Sequence, residues 1–235
     1  MKKLVLCGAA LLALALGLTW AQKADDSATR FDSRVREDFF AGFAGDSARL
    51  ERGMKTCEEA LAANPKDPSA LVWHGAGVYY LSGRAFRKGD KAAGIEMNQR
   101  GIKEMNDAVA LSPDSLQTRI PRGATYISSA RFVDDMYTKP LLELAVTDYE
   151  KALDLEKAYF SRVSVHGRGE LLGGLAEAYR RLGNTAKARE FLERIVQELP
   201  GSPYEKQATR WLSDLSAVGK QERFCLGCHV EPAAR

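Results

Sequence analysis

Cys225, Cys228 and His229 stand together in the stretch Arg223-Phe-Cys-Leu-Gly-Cys-His-Val-Glu-Pro. Two thiols separated by two residues, with an imidazole directly after the second, can do several kinds of chemistry. The thiols can close a disulfide or act as a redox pair. Thiolates and imidazole can bind a soft metal, although zinc wants four ligands and this stretch offers three. The same spacing lets both sulfurs form thioether bonds to the two vinyl groups of a porphyrin while the adjacent histidine ligates its iron. A motif without a cofactor remains a further reading.

No other constellation competes. The sequence has no H-E-x-x-H, since Gly75-Ala76-Gly77 follows His74, and no G-x-S-x-G nucleophile elbow. Gly167-Arg-Gly-Glu-Leu-Leu-Gly173 has the wrong final spacing for a dinucleotide fingerprint and lacks a preceding strand, so its glycines read as permitting close helix packing. Glu58-Glu59 and Asp134-Asp135 are adjacent carboxylates, which point to different sides of a helix. No nucleophile comes with a base, and the chain is not expected to be an enzyme.

The elements that would carry the motif are helical. No stretch alternates with a period of two, whereas apolar residues recur at spacings of three and four. The clearest unit runs from Gly169 to Pro200. Leu172, Leu175, Ala176 and Tyr179 share one face of its first helix, Gly183-Asn184 makes the turn, and Ala188, Leu192 and Ile195 face back from its second helix. This unit resembles the tetratricopeptide repeat, with Tyr179, Gly183, Ala188 and Pro200 at family positions; Leu192 replaces the usual aromatic and Ile195 the usual small residue. Looser units follow the same plan. Val72, Gly75, Ala76, Tyr79 and Gly83 would form one first helix, with its second from Gly94 to Leu111. Gly123, Tyr126 and Ala130 mark another first helix, and Ala145, Tyr149 and Ala152 its partner. An N-terminal pair would span Phe31 to Phe43 and Ser47 to Ala62.

Caps sharpen these limits. Asp67-Pro68 and Ser112-Pro113 read as N-caps followed by proline in the first turn. Ser202-Pro203-Tyr204-Glu205 reads as a capping box opening a last helix to about Ala217, whose Trp211, Leu212 and Leu215 would cover the end of the array. The expected fold is therefore all-α: a solenoid of helical hairpins with inserted inter-helix loops and a C-terminal capping helix. A different helical array is the alternative. The inserted loops are expected at Arg84–Lys91 and Arg131–Lys139. Arg119, Arg122 and Arg131 suggest an anion site or, more ordinarily for helical arginines, pairing with nearby carboxylates.

Length and charge bound the rest. The chain has 235 residues, 45% hydrophobic and 28% charged, enough for a core and for solubility. Lys plus Arg number 34 against 31 Asp plus Glu, a net charge of +3 that does not point to nucleic acid as a partner. Lys2 and Lys3 precede an uncharged apolar run from Leu4 to Leu18, and Thr19-Trp20-Ala21 offers a cleavage site. Residues 1–21 read as a signal peptide, with an uncleaved anchor as the rival. Residues 22–30 read as a linker, 31–218 as the repeat domain and 219–235 as a tail carrying the motif. Export to a bacterial periplasm or cell surface follows, with no membrane association after cleavage. Loss of Cys7 leaves Cys57 as a buried thiol if Cys225 and Cys228 are used elsewhere.

Cys225, Cys228 and His229 resemble the attachment motif of c-type cytochromes. That resemblance implies one covalently attached haem c, with thioether bonds to Cys225 and Cys228 and with His229 as an iron ligand. Only Val230–Arg235 follow the motif, so the repeats would have to supply the pocket. His74, His166, Met54, Met97, Met105 and Met136 have the chemistry of a second ligand, and each also reads as a packing residue. The sequence thus leads to a repeat scaffold that binds a protein partner along its groove and passes electrons through, or docks a redox partner at, its tail. A cofactor-free scaffold with a protein or small-ligand client is the alternative.

Overall fold

Most of the described helices are amphipathic and N-capped by a side chain, and they gain stability by burying one face on their neighbours. The computed structural model describes residues 30–132, 135–219 and 222–224. Residues 1–21, the linker up to residue 29 and the motif Cys225-x-x-Cys228-His229 lie outside the described residues. Within them are nine α-helices and no strand: α1 (Phe31–Phe43), α2 (Ser47–Ala63), α3 (Pro68–Arg87), α4 (Lys91–Leu111), α5 (Leu116–Ser129), α6 (Asp135–Glu156), α7 (Val165–Arg181), α8 (Thr185–Glu198) and α9 (Pro203–Ser213). A single 3₁₀ turn, Phe160–Arg162, precedes α7. No described helix is long and apolar enough to cross a membrane.

The helices pair in sequence order, α1 with α2, α3 with α4, α5 with α6 and α7 with α8, and α9 closes against α8. First helices also touch the next first helix, α1 to α3, α3 to α5 and α5 to α7. One continuous core results, with Phe39, Tyr126, Leu172, Leu192 and Trp211 buried along its length. Burying each such side chain contributes roughly 1.5–3 kcal/mol.

The N-terminal pair and the last pair lie where the spacing places them. The insertions do not. Arg84–Arg87 is the final turn of α3 rather than a loop, and only residues 88–90 connect it to α4. Asp90 caps α4 by accepting from the Ala93 amide at 3.1 Å, and Phe86 packs over Gly94. The extra residues therefore lengthen both helices to 20 and 21 residues. Likewise, Asp135–Lys139 forms the first turn of α6. Ser112 ends α4, and it is Ser115 that caps α5, accepting from the Gln117 amide at 3.2 Å. The last helix stops at Ser213, short of Ala217.

Two features lock the hairpins together. Gly75 and Gly101 bring the α3 and α4 backbones into contact: a Cβ on Gly101 would stand 2.7 Å from the Gly75 carbonyl, so only glycine fits. Asp148 of α6, with no side-chain exposure, accepts from Arg119 at 2.9 Å and from Arg122 at 2.7 Å on α5. The arginines thus pair with carboxylates, the ordinary reading of the two. Arg131 does the same with Glu177 of α7, at 2.8 and 2.7 Å.

Candidate functional site

Phe224 is covalently joined to Cys225, so the seat of Phe224 is where the motif is tethered to the helices. The sequence places Phe224 in a tail apart from the array. Instead it is 1% exposed and part of the core. The reason is a vacancy that α7 and α9 leave between them. Gly173 presents bare backbone on α7, where an added Cβ would stand 2.0 Å from the Phe224 ring. Trp211 of α9 meets that ring edge-on at 5.1 Å, and Tyr204 stacks beside it at 6.4 Å. An aromatic ring fills such a slot with large buried area and favourable edge-to-face geometry.

Polar contacts hold the approach. Arg180 donates to the Val218 carbonyl at 2.9 Å and the Gly219 carbonyl at 3.2 Å, and its guanidinium lies 5.2 Å above the Trp211 ring. Glu222 accepts from the Trp211 indole N–H at 2.9 Å and pairs with Arg210. The Phe224 amide donates to Glu177 Oε2 at 2.9 Å. Glu177 is itself buried and held by the Arg131 fork, with Arg181 at 3.6 Å. Arg181 also donates to the Ile127 carbonyl at 3.1 Å and to the Ala130 carbonyl, satisfying the end of α5. One carboxylate therefore ties together α5, α7 and the segment before the motif.

The same face of α7 continues toward its N-terminus. His166, Glu170, Gly173 and Glu177 follow one another at spacings of four, three and four, so they form one stripe. Tyr204 lies over Gly169, and its hydroxyl donates to Glu170 Oε1 at 2.7 Å and meets His166 Nδ1 at 2.8 Å. A phenol has one proton. With that proton donated to Glu170, the contact to His166 is made by an N–H at Nδ1 donating to the phenol oxygen.

The other expected ligands are occupied elsewhere. His74 is buried in the α3–α4 hairpin with Nδ1 2.6 Å from Glu104, whose carboxyl is pushed up by burial but held below its ordinary range by hydrogen bonds from His74 and Arg100. Met105 is fully buried. Met54 packs against Gly77, where its sulfur occupies the space a Cβ would need. Met97 is half-buried on α4, and Met136 is 73% exposed on α6. Among the described residues no three metal-ligating side chains converge. Cys57 is a buried free thiol, and burial pushes its pKa above the ordinary thiol value.

No family model, no curated protein and no solved structure matches this chain.

The donor set of Cys225, Cys228 and His229 fits a c-type haem: two sulfurs for two vinyl groups and an imidazole for the iron. The motif directly follows Phe224, whose ring is seated against Tyr204 and Trp211. Sequence reasoning missed Phe224, Glu177 and Glu170, and it named His166 and Tyr204 without bringing them together. A signal existed for one of them: Glu177 is the lone charge in the run Gly173-Gly-Leu-Ala-Glu-Ala-Tyr179.

Proposed function

We propose that this chain is an exported scaffold of tetratricopeptide type carrying one covalent haem c at Cys225, Cys228 and His229, for electron transfer or for docking a redox partner. The observation that carries the reading is the C-x-x-C-H spacing directly after an anchored aromatic residue. Haem attached there would supply a one-electron couple. Cys225 and Cys228 would hold it by thioether bonds, and His229 would ligate its iron. Phe224, Glu177 and Arg180 would set where the motif departs from the array, and the first helices would offer the groove for a protein partner. Residues 1–21 would direct export, which places the thiols where they are available for attachment outside the cytoplasm.

The test is to make the full chain in a host with cytochrome maturation machinery. The expected result is a Soret band, a pyridine haemochrome and haem retained through denaturation, with an intact mass raised by one haem. Replacing Cys225 and Cys228 by Ala should abolish the colour and leave helical circular dichroism intact, because the described helices and the buried Phe224 all precede both substitutions. A colourless, unmodified wild-type chain from that host overturns the reading and leaves the cofactor-free scaffold.

A further inference from the structure

We infer that the cleft between the α7–α8 turn and the end of α9 binds a small phosphate or carboxylate ligand, held by Arg180 and Arg189; the inference does not depend on haem. The cleft arises where three chain endings meet. Gly183, at φ 78°, turns α7 into α8, with Arg180 in the last turn of the one and Thr185 opening the other. α9 stops at Ser213, and Asp214 then folds the chain back on itself. Between these endings is an open-sided cavity of about 400 Å³, walled by Arg180, Thr185, Arg189, Ser213, Asp214 and Ser216. That volume falls in the roughly 300–1,000 Å³ range of small-molecule sites, so an anion there has room for a short organic part.

The charges in this wall are unbalanced. Arg181 meets Glu177, but the neighbouring Arg180 gives its printed hydrogen bonds to the Val218 and Gly219 carbonyls and forms no ion pair among the described residues. Burial pushes the Arg180 guanidinium below its ordinary pKa, and Glu177 offsets this only in part. Arg189 is exposed and makes neither a hydrogen bond nor an ion pair among the described residues. One carboxylate opposes the two cations. Asp214 Oδ1 accepts from the Ser216 hydroxyl at 2.6 Å and from the Ser216 and Ala217 amides at 3.1 Å, and these bonds keep its carboxyl below the usual range and ionised. Two guanidinium charges against one carboxylate leave the wall net positive. Arg180 is also fixed in place by its carbonyl bonds and by the Trp211 ring beneath it, so it meets a ligand preorganised. The planar fork of arginine matches the oxygens of phosphate and carboxylate. Ser213 and Ser216 have spent their hydroxyl protons on Arg210 and Asp214, whereas the exposed Thr185 adds a hydroxyl donor beside the arginines.

The experiment titrates the isotope-labelled full chain with inorganic phosphate, and separately with citrate, and follows amide resonances by NMR. Both salts also stabilise folded proteins by exclusion from their surface, so sodium chloride of matched ionic strength is the control and a local, saturable response is the readout. The amides of Thr185 and Ser216 are expected to shift and saturate with at least one of the two anions and not with chloride. Arg189→Gln, a substitution at an exposed side chain, is expected to keep the fold and weaken Kd about tenfold, the scale of one charge-assisted hydrogen bond. Asp214→Asn keeps the Oδ1 acceptor of the turn and removes the opposing charge, so it is expected to tighten Kd by about threefold. Failure of both anions to give a saturable shift overturns the site. Equal affinity in Arg189→Gln marks an adventitious ion only and overturns it too, as does unchanged or weaker binding in Asp214→Asn. None of these results bears on the haem reading, which the Soret band tests by itself.

Discussion

The amide of Phe224 donates to Oε2 of Glu177 at 2.9 Å, across 47 residues of sequence. The same carboxylate is gripped by Arg131. A charge buried this deeply is tolerated because each oxygen has donors; with a partner lost, the remaining charge is stranded. Glu177 thus makes Phe224, the residue directly before the motif, part of the helical array.

Truncating that anchor should be felt. Phe224→Ala is expected to lower stability by about 3 kcal/mol, the low end for a buried aromatic because a segment near the chain end can detach as its slot opens. Urea unfolding of the full chain measures it. A loss under about 0.5 kcal/mol, the usual range of a surface substitution, would show that the ring does not occupy the slot in solution.

Gly173→Ala tests the slot from the other side. Alanine favours a helix over glycine by about 1 kcal/mol, so the helix alone predicts stabilisation. The added Cβ would instead stand 2.0 Å from the Phe224 ring and force it out. The expected outcome is unchanged helical circular dichroism with faster tryptic cleavage after Arg223. Cleavage no faster than in the wild type would contradict the close approach.

Acid should act on the N-terminal hairpin through Asp38. The hydrogen bond from Arg52 does most to lower its carboxyl; burial opposes this, and Arg49 adds to the lowering. Because the folded value lies below the unfolded one, near ~3.9, the stabilisation is complete above that value. It is lost as pH falls through the lower folded value. Asp38→Asn should remove this component, giving a shallower loss of stability below about pH 4. Urea midpoints measured across that range decide it; parallel acid limbs for the two proteins would count against the pairing.

Cys57 should be inert in the native chain. Burial raises its pKa and keeps solvent reagents away, and the thiolate is the reactive form. Iodoacetamide followed by peptide mapping is expected to label Cys57 only after denaturation. Rapid native labelling would place that thiol at the surface.

What could be read in the residues was local. Spacings of three and four announced helices, and Asp67, Ser202 and Gly183 marked their ends. Hence the hairpins Phe31–Ala63 and Val165–Glu198 lie close to where the sequence puts them. The lengthened α3 and α4 escaped because Arg84–Lys91 is charged, and charge alone does not distinguish a loop from an exposed helical turn. Phe86 over Gly94 is what carries the helices onward, and that contact joins different elements.

By itself, then, the order of residues determined the helical content, most helix ends and the thiol–thiol–imidazole spacing of Cys225, Cys228 and His229, because each depends on neighbours within a turn or two. Only the tertiary structure decided that Phe224 is core, that Glu177 is its acceptor, and that Tyr204 meets His166 and Glu170. Those facts depend on which faces meet when α5, α7 and α9 pack, and packing is set by the joint shape of residues far apart in the chain.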